Sequence, residues 1–306
     1  MLAYLARRAL QMLPILLGVV TIIFVLLRLS GDPVRLYLPE DASEQQVAQM
    51  RASLGLDRPI HVQYGIYIAR LVKGDLGESI RYRNQDVADI VLERLPATLE
   101  LAGASLLVAI LISLPLGILA ALNRNRLPDL LSSAVAMLGR AMPNFWVGIM
   151  LILFFGIRLE WFPVSGRSGV ASLVLPAVTL GASMAALLMR LVRSGMLEVL
   201  SQDYVRTAKA KGLPWRTVVV KHGLRNALIA YVTVLGLEIA GLMAGAVITE
   251  QVFAWPGIGR LAIQAINSLD MAIVQAVVIL ASVVVMVANL AVDLTYALID
   301  PRIRYA

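Results

Sequence analysis

The chain has 306 residues, of which 59% are apolar and only 15% are charged. Soluble globular domains average about 25% charged residues, so this composition excludes an ordinary soluble domain. The sequence contains no cysteine, which excludes a disulfide framework and a thiolate metal site. A net charge of +7 would suggest a nucleic-acid partner only if the positions of the charges were ignored.

Six stretches are apolar and long enough to cross a bilayer, which takes about 20 residues of helix. They lie at roughly 9–29, 98–122, 131–157, 171–191, 228–249 and 271–298. The sequence therefore predicts an all-α polytopic membrane protein with about six transmembrane helices. Pro115 in the second stretch and Pro143 in the third predict kinks or breaks. The first stretch lacks a small-x-small cleavage site, so we interpret it as a retained anchor and not a signal peptide.

Thirteen of the 27 Lys and Arg residues fall on one side of this six-span chain. They are Arg7, Arg8, Arg124, Arg126, Arg193, Arg206, Lys209, Lys211, Arg216, Lys221, Arg225, Arg302 and Arg304. The two short loops on the opposite side hold only Arg158, Arg167 and Arg260. The positive-inside rule therefore predicts that both termini are cytoplasmic. The excess charge is topological, and no nucleic-acid partner is predicted.

The segment 30–97 is predicted to be an outward-facing helical segment between the first two spans. Ser43 and Gln46 form a capping-box pattern ahead of its first helix, and Gly55 is placed to end that helix. A second helix is predicted to end at Gly74. A third has an apolar face formed by Val87, Ile90, Val91 and Leu95 and leads through Pro96 into the second span. The sequence leaves three placements of these helices open: packed on the spans, lying in the membrane interface, or facing an external partner.

Residues 203–228, DYVRTAKAKGLPWRTVVVKHGLRNAL, form a basic segment between two apolar spans. Ser201 is predicted to cap a helix with Asp203 in its first turn and Lys209 in its last. Gly212 fits the residue after the helix C-cap. The spacing predicts a short helix with a sharp end.

A second helix is predicted to begin at Pro214, a favourable first residue of a helix. One face of that helix would carry Trp215, Val218, Val219 and His222. Ala208, Ala210 and Gly212 are small enough for another backbone to approach closely. Such a helix suits insertion into a groove on a partner, whereas a membrane-surface helix needs a broad apolar face. The alternative is that the segment is a topology signal alone.

The segment closely resembles the cytoplasmic "EAA" loop of ATP-binding-cassette (ABC) importer permeases in the dipeptide/oligopeptide/nickel (and glutathione) family. The matching residues are Asp203, Tyr204, Val205, Arg206, Thr207, Ala208, Lys209, Ala210, Lys211, Gly212 and Leu213, followed by His222, Arg225 and Asn226. Further matches lie at 31–33 (GDP), 54–59 (LGLDRP), 74–79 (GDLGES), 252–261 (VFAWPGIGRL) and 300–304 (DPRIR). The resemblance therefore covers nearly the whole chain.

The resemblance implies the type I importer permease fold in a bacterial inner membrane. It divides the chain into an N-terminus with the first span (1–29), an extracytoplasmic helical segment (30–97) and a transmembrane core (98–306). The core would carry the coupling loop at about 194–227, with Gly212 as hinge of the coupling helix.

The resemblance also implies the partners. They are a sister permease, usually forming a heterodimer, two cytoplasmic ATPase subunits and an external binding protein that delivers di-/oligopeptides or similar solutes. The sequence has no G-x-x-x-x-G-K-[ST] loop, so the chain is predicted not to be an enzyme and to bind no cofactor. ATP and Mg would be bound and hydrolysed by the partner ATPases.

Two departures from the family pattern stand out. Ala230 occupies a position where proline often follows N-A-L-I, which puts the entry to the fifth span in doubt. Met271 and Ala272 replace a common Tyr-Pro after Asp270, which puts the shape of that loop in doubt.

Charged residues inside the spans need an explanation, because insertion at the bilayer centre costs about 2.5–3.5 kcal/mol. Glu238 has two interpretations: it lines the translocation pathway, or it bonds to a neighbouring helix at a contact made by Gly236, Gly241 and Gly245. Arg190 is interpreted as snorkelling to the membrane surface. With two histidines on opposite sides and no cysteine, no metal site is predicted.

The main alternative class is an ion-gradient-driven secondary transporter, which often has inverted repeats; we find no repeat. A membrane enzyme is disfavoured because no nucleophile, paired-carboxylate or metal-binding motif is present.

Overall fold

The computed structural model describes residues 2–29, 34, 38, 42–53, 55–79, 81–82 and 85–299. The family-like motifs at 31–33 and 300–304 lie outside these residues. The helices, in chain order, are α1 (Leu2–Leu29), α2 (Glu44–Ser53), α3 (Ile60–Val72), α4 (Val87–Leu122), α5 (Leu127–Ala141), α6 (Asn144–Leu151), π1 (Ile152–Arg158), α7 (Val170–Leu200), α8 (Asp203–Ala210), α9 (Trp215–Thr217), π2 (Val218–Leu224), α10 (Arg225–Val252), α11 (Ile258–Asn267) and α12 (Met271–Ile299).

Four of the described helical segments are long and apolar enough to cross a membrane. They are Val87–Leu122, Val170–Leu200, Trp215–Met243 and Met271–Ala291; the first two contain the predicted spans 98–122 and 171–191, and the last two overlap the predicted spans 228–249 and 271–298. The third predicted span is a bent pair, α5 followed by α6 and π1, whose axes meet at 105°. The first predicted span lies in α1, whose apolar part, Leu10–Leu26, is shorter. The all-α membrane architecture is confirmed, whereas the count of six spans stays a prediction.

The helix break predicted at Pro143 is confirmed. Pro143 has ψ 136° and ends the path of α5 before α6 begins, because the ring removes an N–H group and disfavours a helical residue before it. In contrast, α4 runs without a break through Pro96 and Pro115. The outer helix predicted before Pro96 and the second span are therefore one helix.

The chain separates into two compact units, Met1–Pro96 with Leu261–Val284 and Ala97–Arg260 with Val285–Ala306. In the first unit, the capping box is confirmed: Ser43 N–H donates to Gln46 Oε1 (2.9 Å) and Gln46 N–H donates to Ser43 Oγ (3.3 Å). The predicted helix ends are confirmed by the positive φ of Gly55 (67°) and Gly74 (79°). The outer segment is therefore built as local capping rules predict.

Asp270, which is fully buried, organises part of the same unit. Its carboxylate accepts hydrogen bonds from Ser79 Oγ (2.6 Å), the Arg81 N–H (3.2 Å) and the Ile273 N–H (3.3 Å). The last of these caps the start of α12, where Met271 and Ala272 replace the family's Tyr-Pro. Asp270 therefore caps α12 although Met271 and Ala272 differ from the family's Tyr-Pro.

The core of the second unit lies where α4, α7 and α10 pack together. Leu101 of α4, Leu188 of α7 and Tyr231 of α10 belong to one buried cluster. Two glycines allow the close approach of α4 and α7: a Cβ on Gly117 would lie 2.8 Å from Met189 O, and one on Gly181 would lie 2.7 Å from Ser105 O. Small residues at helix contacts are typical of membrane bundles, where close packing replaces the hydrophobic effect.

Candidate functional site

The short helix α8 is held by one face. Val205 and Ala208 are buried, three residues apart, and pack with Val218 of π2 against Val199 and Leu200 of α7. Residues at this spacing share a side of a helix. The small residues of this helix are predicted from the sequence to face a partner, but Ala208 instead faces the chain's own core.

Both ends of α8 are defined, although one differs from the prediction. The N-cap is Gln202, without a side-chain hydrogen bond, and the Ser201 hydroxyl donates to Glu198 O (2.7 Å). The predicted Ser201 cap is therefore wrong, because this hydroxyl bonds back to the last turn of α7. At the other end Gly212 has φ 76°, its N–H donates to Lys209 O (2.9 Å) and the Leu213 N–H reaches Ala208 O (3.4 Å). These are the two bonds of a Schellman motif, as expected for a glycine stop.

The segment after Gly212 also differs from the prediction. Pro214 is the N-cap of a single helical turn, α9, which passes into the π-helix π2. Val218 and Val219 are both buried, whereas Trp215 remains 47% exposed. The predicted face with a 3.6-residue period does not form, because adjacent residues of π2 turn inward together.

Tyr204 and Asn226 tie α8 to the start of α10. The Asn226 side-chain amide donates to Tyr204 Oη (2.7 Å), and the Tyr204 hydroxyl donates to His222 O (3.3 Å). The two predicted site residues Tyr204 and Asn226 are thus brought together across 22 positions of sequence. His222 takes part through its backbone carbonyl, while Arg225 is exposed at the start of α10.

The opposite side of α8 is free of the core and is basic. Its exposed residues include Asp203, Arg206, Thr207, Lys209, Ala210, Lys211 and Leu213. Lys209 Nζ lies 4.4 Å from the centre of the Trp215 ring, a cation–π contact that joins α8 to α9. The helix α8 therefore has one buried face, packed on its own chain, and one exposed, mostly basic face.

Next to this region, a buried ion pair joins α5 to α7. The Arg193 guanidinium donates to both carboxylate oxygens of Asp129, from Nε to Oδ1 (2.5 Å) and from Nη2 to Oδ2 (2.8 Å). The Asn125 N–H also donates to Oδ2 (2.8 Å), and the Asp129 side chain is only 3% exposed. Sequence reasoning missed this pair and counted Arg193 only as a topology charge.

Removal of this ion pair tests its structural role. We expect Arg193→Ala to destabilise the protein by about 3–5 kcal/mol, because it leaves a buried carboxylate without its cation. Arg206→Ala is the matched control: it breaks the ion pair with Asp203, whose two side chains are 74% and 94% exposed, and such pairs contribute about 0–1 kcal/mol. Thermal unfolding of the detergent-solubilised importer measures both. Equal shifts would contradict a special role for Asp129.

A second buried network holds the loop between α10 and α11. Glu250 is fully buried; its Oε1 accepts from the Thr98 hydroxyl (2.6 Å) and its Oε2 from the Arg260 N–H (2.9 Å). Trp255, also fully buried, donates from Nε1 to Ala97 O (2.8 Å). The loop motif WPGIGR is therefore fixed to the first turn of the transmembrane part of α4. Sequence reasoning did not single out Glu250.

Glu238 lies half-buried in the middle of α10. A Cβ added to Gly241, one turn further on, would have no atom of the described residues within 4 Å. The close helix contact proposed for that glycine is therefore absent from the described part of the chain, and the role of Glu238 as a pathway group stays a prediction. Within the same residues, no group of three His, Asp or Glu side chains is arranged to hold a metal ion.

The fold defines an all-α membrane protein with several described helices long and apolar enough to cross a bilayer. The chain belongs to the family described as binding-protein-dependent transport system inner membrane component, whose model matches residues 113–305; the model of the N-terminal part of this family matches residues 1–102. It is the permease subunit of an ABC importer and a multi-pass protein of the inner membrane.

Its relatives agree with this assignment. The glutathione transport system permease protein GsiC of Salmonella typhimurium strain LT2 is 42% identical, and that of Escherichia coli strain K12 is 41% identical, both over 306 residues and 100% of each chain. The fold is similar to a chain of the inward-facing MetNI methionine ABC transporter, with a TM-score of 0.59 and 20% identity over 69% of this chain and 96% of that one. A chain of an amino acid ABC transporter with histidines has a TM-score of 0.53 at 15% identity, over 68% of this chain and 93% of that one.

Proposed function

We propose that this permease imports glutathione or similar small peptides delivered by an external binding protein. Full-length similarity to permeases named for glutathione transport supports the substrate class. The chain would pair with a homologous sister permease, and two ATPase subunits would bind on the cytoplasmic side. In this orientation both termini and α8 face the cytoplasm, and the membrane lipid surrounds the spans.

The observation that carries this proposal is the division of α8 into a buried and an exposed face. ATP binding would close the ATPase dimer and pull on the exposed face, which carries Arg206, Lys209 and Lys211. The buried face and the Tyr204–Asn226 bond would pass that motion to α7 and α10. The ATPases shift the permease between inward- and outward-facing states only as far as they bind the two states differently. The chain itself would hydrolyse nothing and hold no cofactor; ATP and Mg belong to the ATPases.

Reconstitution of the complete importer in liposomes tests this function. We expect uptake of S-methylglutathione, supplied with the binding protein, to require ATP on the ATPase side and to continue when ion gradients are collapsed. A non-hydrolysable ATP analogue is the control and should stop repeated turnover. Uptake driven by a proton or sodium gradient without ATP would instead support the secondary-transporter alternative.

A further inference from the structure

Two neighbouring cavities lie along one groove between α5, α6 and α7, here called the α5–α7 groove. The first, of about 480 Å³, is lined by Ser133, Met137, Leu187, Arg190, Leu191, Arg193 and Ser194. The second, of about 230 Å³, is lined by Val135, Leu138, Gly139, Met142, Asn144, Val147, Thr179, Ala182 and Ser183. The first lies toward the α8 end of α7, and the second lies at the break between α5 and α6.

The first cavity has an uncompensated cation. Arg193 is neutralised by two hydrogen bonds to Asp129. Arg190 is exposed, and within the described part of the chain it has no carboxylate partner. A guanidinium suits bidentate binding of a carboxylate. The Ser133 and Ser194 hydroxyls donate within the chain, to Asp129 Oδ1 (3.5 Å) and to Arg190 O (3.0 Å). The Arg190 guanidinium is therefore the group at this end of the groove that suits an anion.

The second cavity has neutral polar groups at a break in a span. Asn144, half-buried at the first position of α6, and Ser183 of α7 both line it. Non-helical backbone at membrane depth is tolerated where it lines a water-filled cavity or is buried in protein. The Asn144 carboxamide can both donate to and accept from peptide groups. The Ser183 hydroxyl donates to Leu180 O (2.9 Å) and can accept from a peptide N–H, so this end suits an uncharged amide.

The spacing of the two ends fits a short peptide. Ser183 and Arg190 are seven residues apart on α7, so they lie on the same side of the helix, about 10 Å apart at 1.5 Å per residue. An extended chain spans about 3.3–3.6 Å per residue, so three residues bridge this length.

We propose that the α5–α7 groove is this chain's part of the transport pathway, and that Arg190 binds a carboxylate of a peptide whose amide groups contact Asn144 and Ser183. This rests on the proposed function and specifies the site at which the solute is held. It gives Arg190 a role other than snorkelling, and it makes the pathway selective for anionic peptides of about three residues.

Charge variants of Arg190 in the reconstituted importer test the proposal. We expect Arg190→Gln to lower the kcat/KM of S-methylglutathione uptake at least ~10-fold, whereas Arg190→Lys retains most of it, because the positive charge remains. Arg140→Gln is the control, since Arg140 is an exposed base of α5 that lines neither cavity. Stimulation of ATP hydrolysis by the binding protein should persist in all three variants, which would show that each variant permease assembles into a complete importer. ATP-dependent uptake that is equal in Arg190→Gln and the wild type would overturn the role of Arg190.

Because the chain has no cysteine, single cysteines can report access to the groove. We expect Ser183→Cys and Ser194→Cys to react with a charged, membrane-impermeant thiol reagent, and S-methylglutathione with the binding protein and ATP to slow that reaction. Leu111→Cys, on the 63%-exposed Leu111 of α4, should not react.

The labelling also separates a solute from a lipid headgroup as the anion bound at Arg190. If phosphatidylglycerol in the vesicles blocks labelling of Ser194→Cys and the peptide does not, the groove is a lipid site and the proposal is wrong. Absence of peptide protection at both positions, with ATP-driven uptake intact, would equally overturn it while leaving the proposed function in place.

Discussion

Gly212→Pro is expected to abolish ATP-driven uptake while leaving the permease in the membrane. Gly212 has φ 76°, whereas proline fixes φ near −65°, so α8 would end in a different direction. Proline would also remove the N–H that donates to Lys209 O (2.9 Å). We expect uptake in a strain lacking the native chain to fall at least ~10-fold, with the amount of membrane-inserted permease measured by immunoblot.

The matched control for this prediction is Gly212→Asn. No atom lies within 4 Å of a Cβ at this position in the described part of the chain, and asparagine enters the left-handed region more easily than other side chains. Uptake by Gly212→Asn should therefore stay near that of the wild type. Shortening of 205–211 should match the proline variant. Normal uptake by Gly212→Pro would contradict the coupling role of α8 and favour the topology signal.

The features predicted correctly, such as the end of α8 at Gly212, are those set by local chemistry. A glycine in the left-handed conformation followed two residues later by a proline ends a helix by rules that involve only neighbouring residues. The capping box at Ser43 and the break at Pro143 have the same origin. The wrong Ser201 cap shows the limit of such rules, because this hydroxyl donates to Glu198 O of the preceding helix and does not accept from an N–H of α8.

The parts that were missed depend on contacts between distant residues. Thr98 and Glu250 are 152 positions apart, and Asp129 and Arg193 are 64 positions apart. No local pattern connects such residues. Arg193 was counted only as a topology charge, and the burial of its partner Asp129 could not be inferred. The π-helical path of π2 is a further example, since a run of valines fits several helical registers equally well.

The face that α8 presents also could not be deduced from the sequence. Small residues at 208, 210 and 212 suggested a single surface for a partner, yet Ala208 is 6% exposed and Ala210 is exposed. On a helix, residues two apart point in different directions. Which of them faces the core depends on Val218 and Leu200, whose positions follow from tertiary packing. The orientation of α8 therefore could not be predicted from the sequence, and the role of the segment in coupling stays a prediction.

Glu250→Ala should destabilise the importer strongly, because it leaves the Thr98 hydroxyl and the Arg260 N–H buried without their acceptor. Each unsatisfied buried group costs about 1–3 kcal/mol. Gly257→Ala should act on the same network, since a Cβ there would overlap the Glu250 carboxylate. The expected result is a marked loss of folded complex in detergent, seen as early thermal unfolding and low recovery in size-exclusion chromatography.

Two controls for this prediction lie on the same helix, α10. Glu238→Ala removes a half-buried carboxylate that has no partner among the described residues, and Gly241→Ala adds a methyl group where no described atom lies within 4 Å. Both should unfold near the wild-type temperature. If Glu250→Ala and Glu238→Ala were equally stable, the loop between α10 and α11 would not depend on the Glu250 network.

Because Trp255 is anchored to Ala97 independently of Glu250, Trp255→Ala should then still destabilise the loop, by about 3–5 kcal/mol.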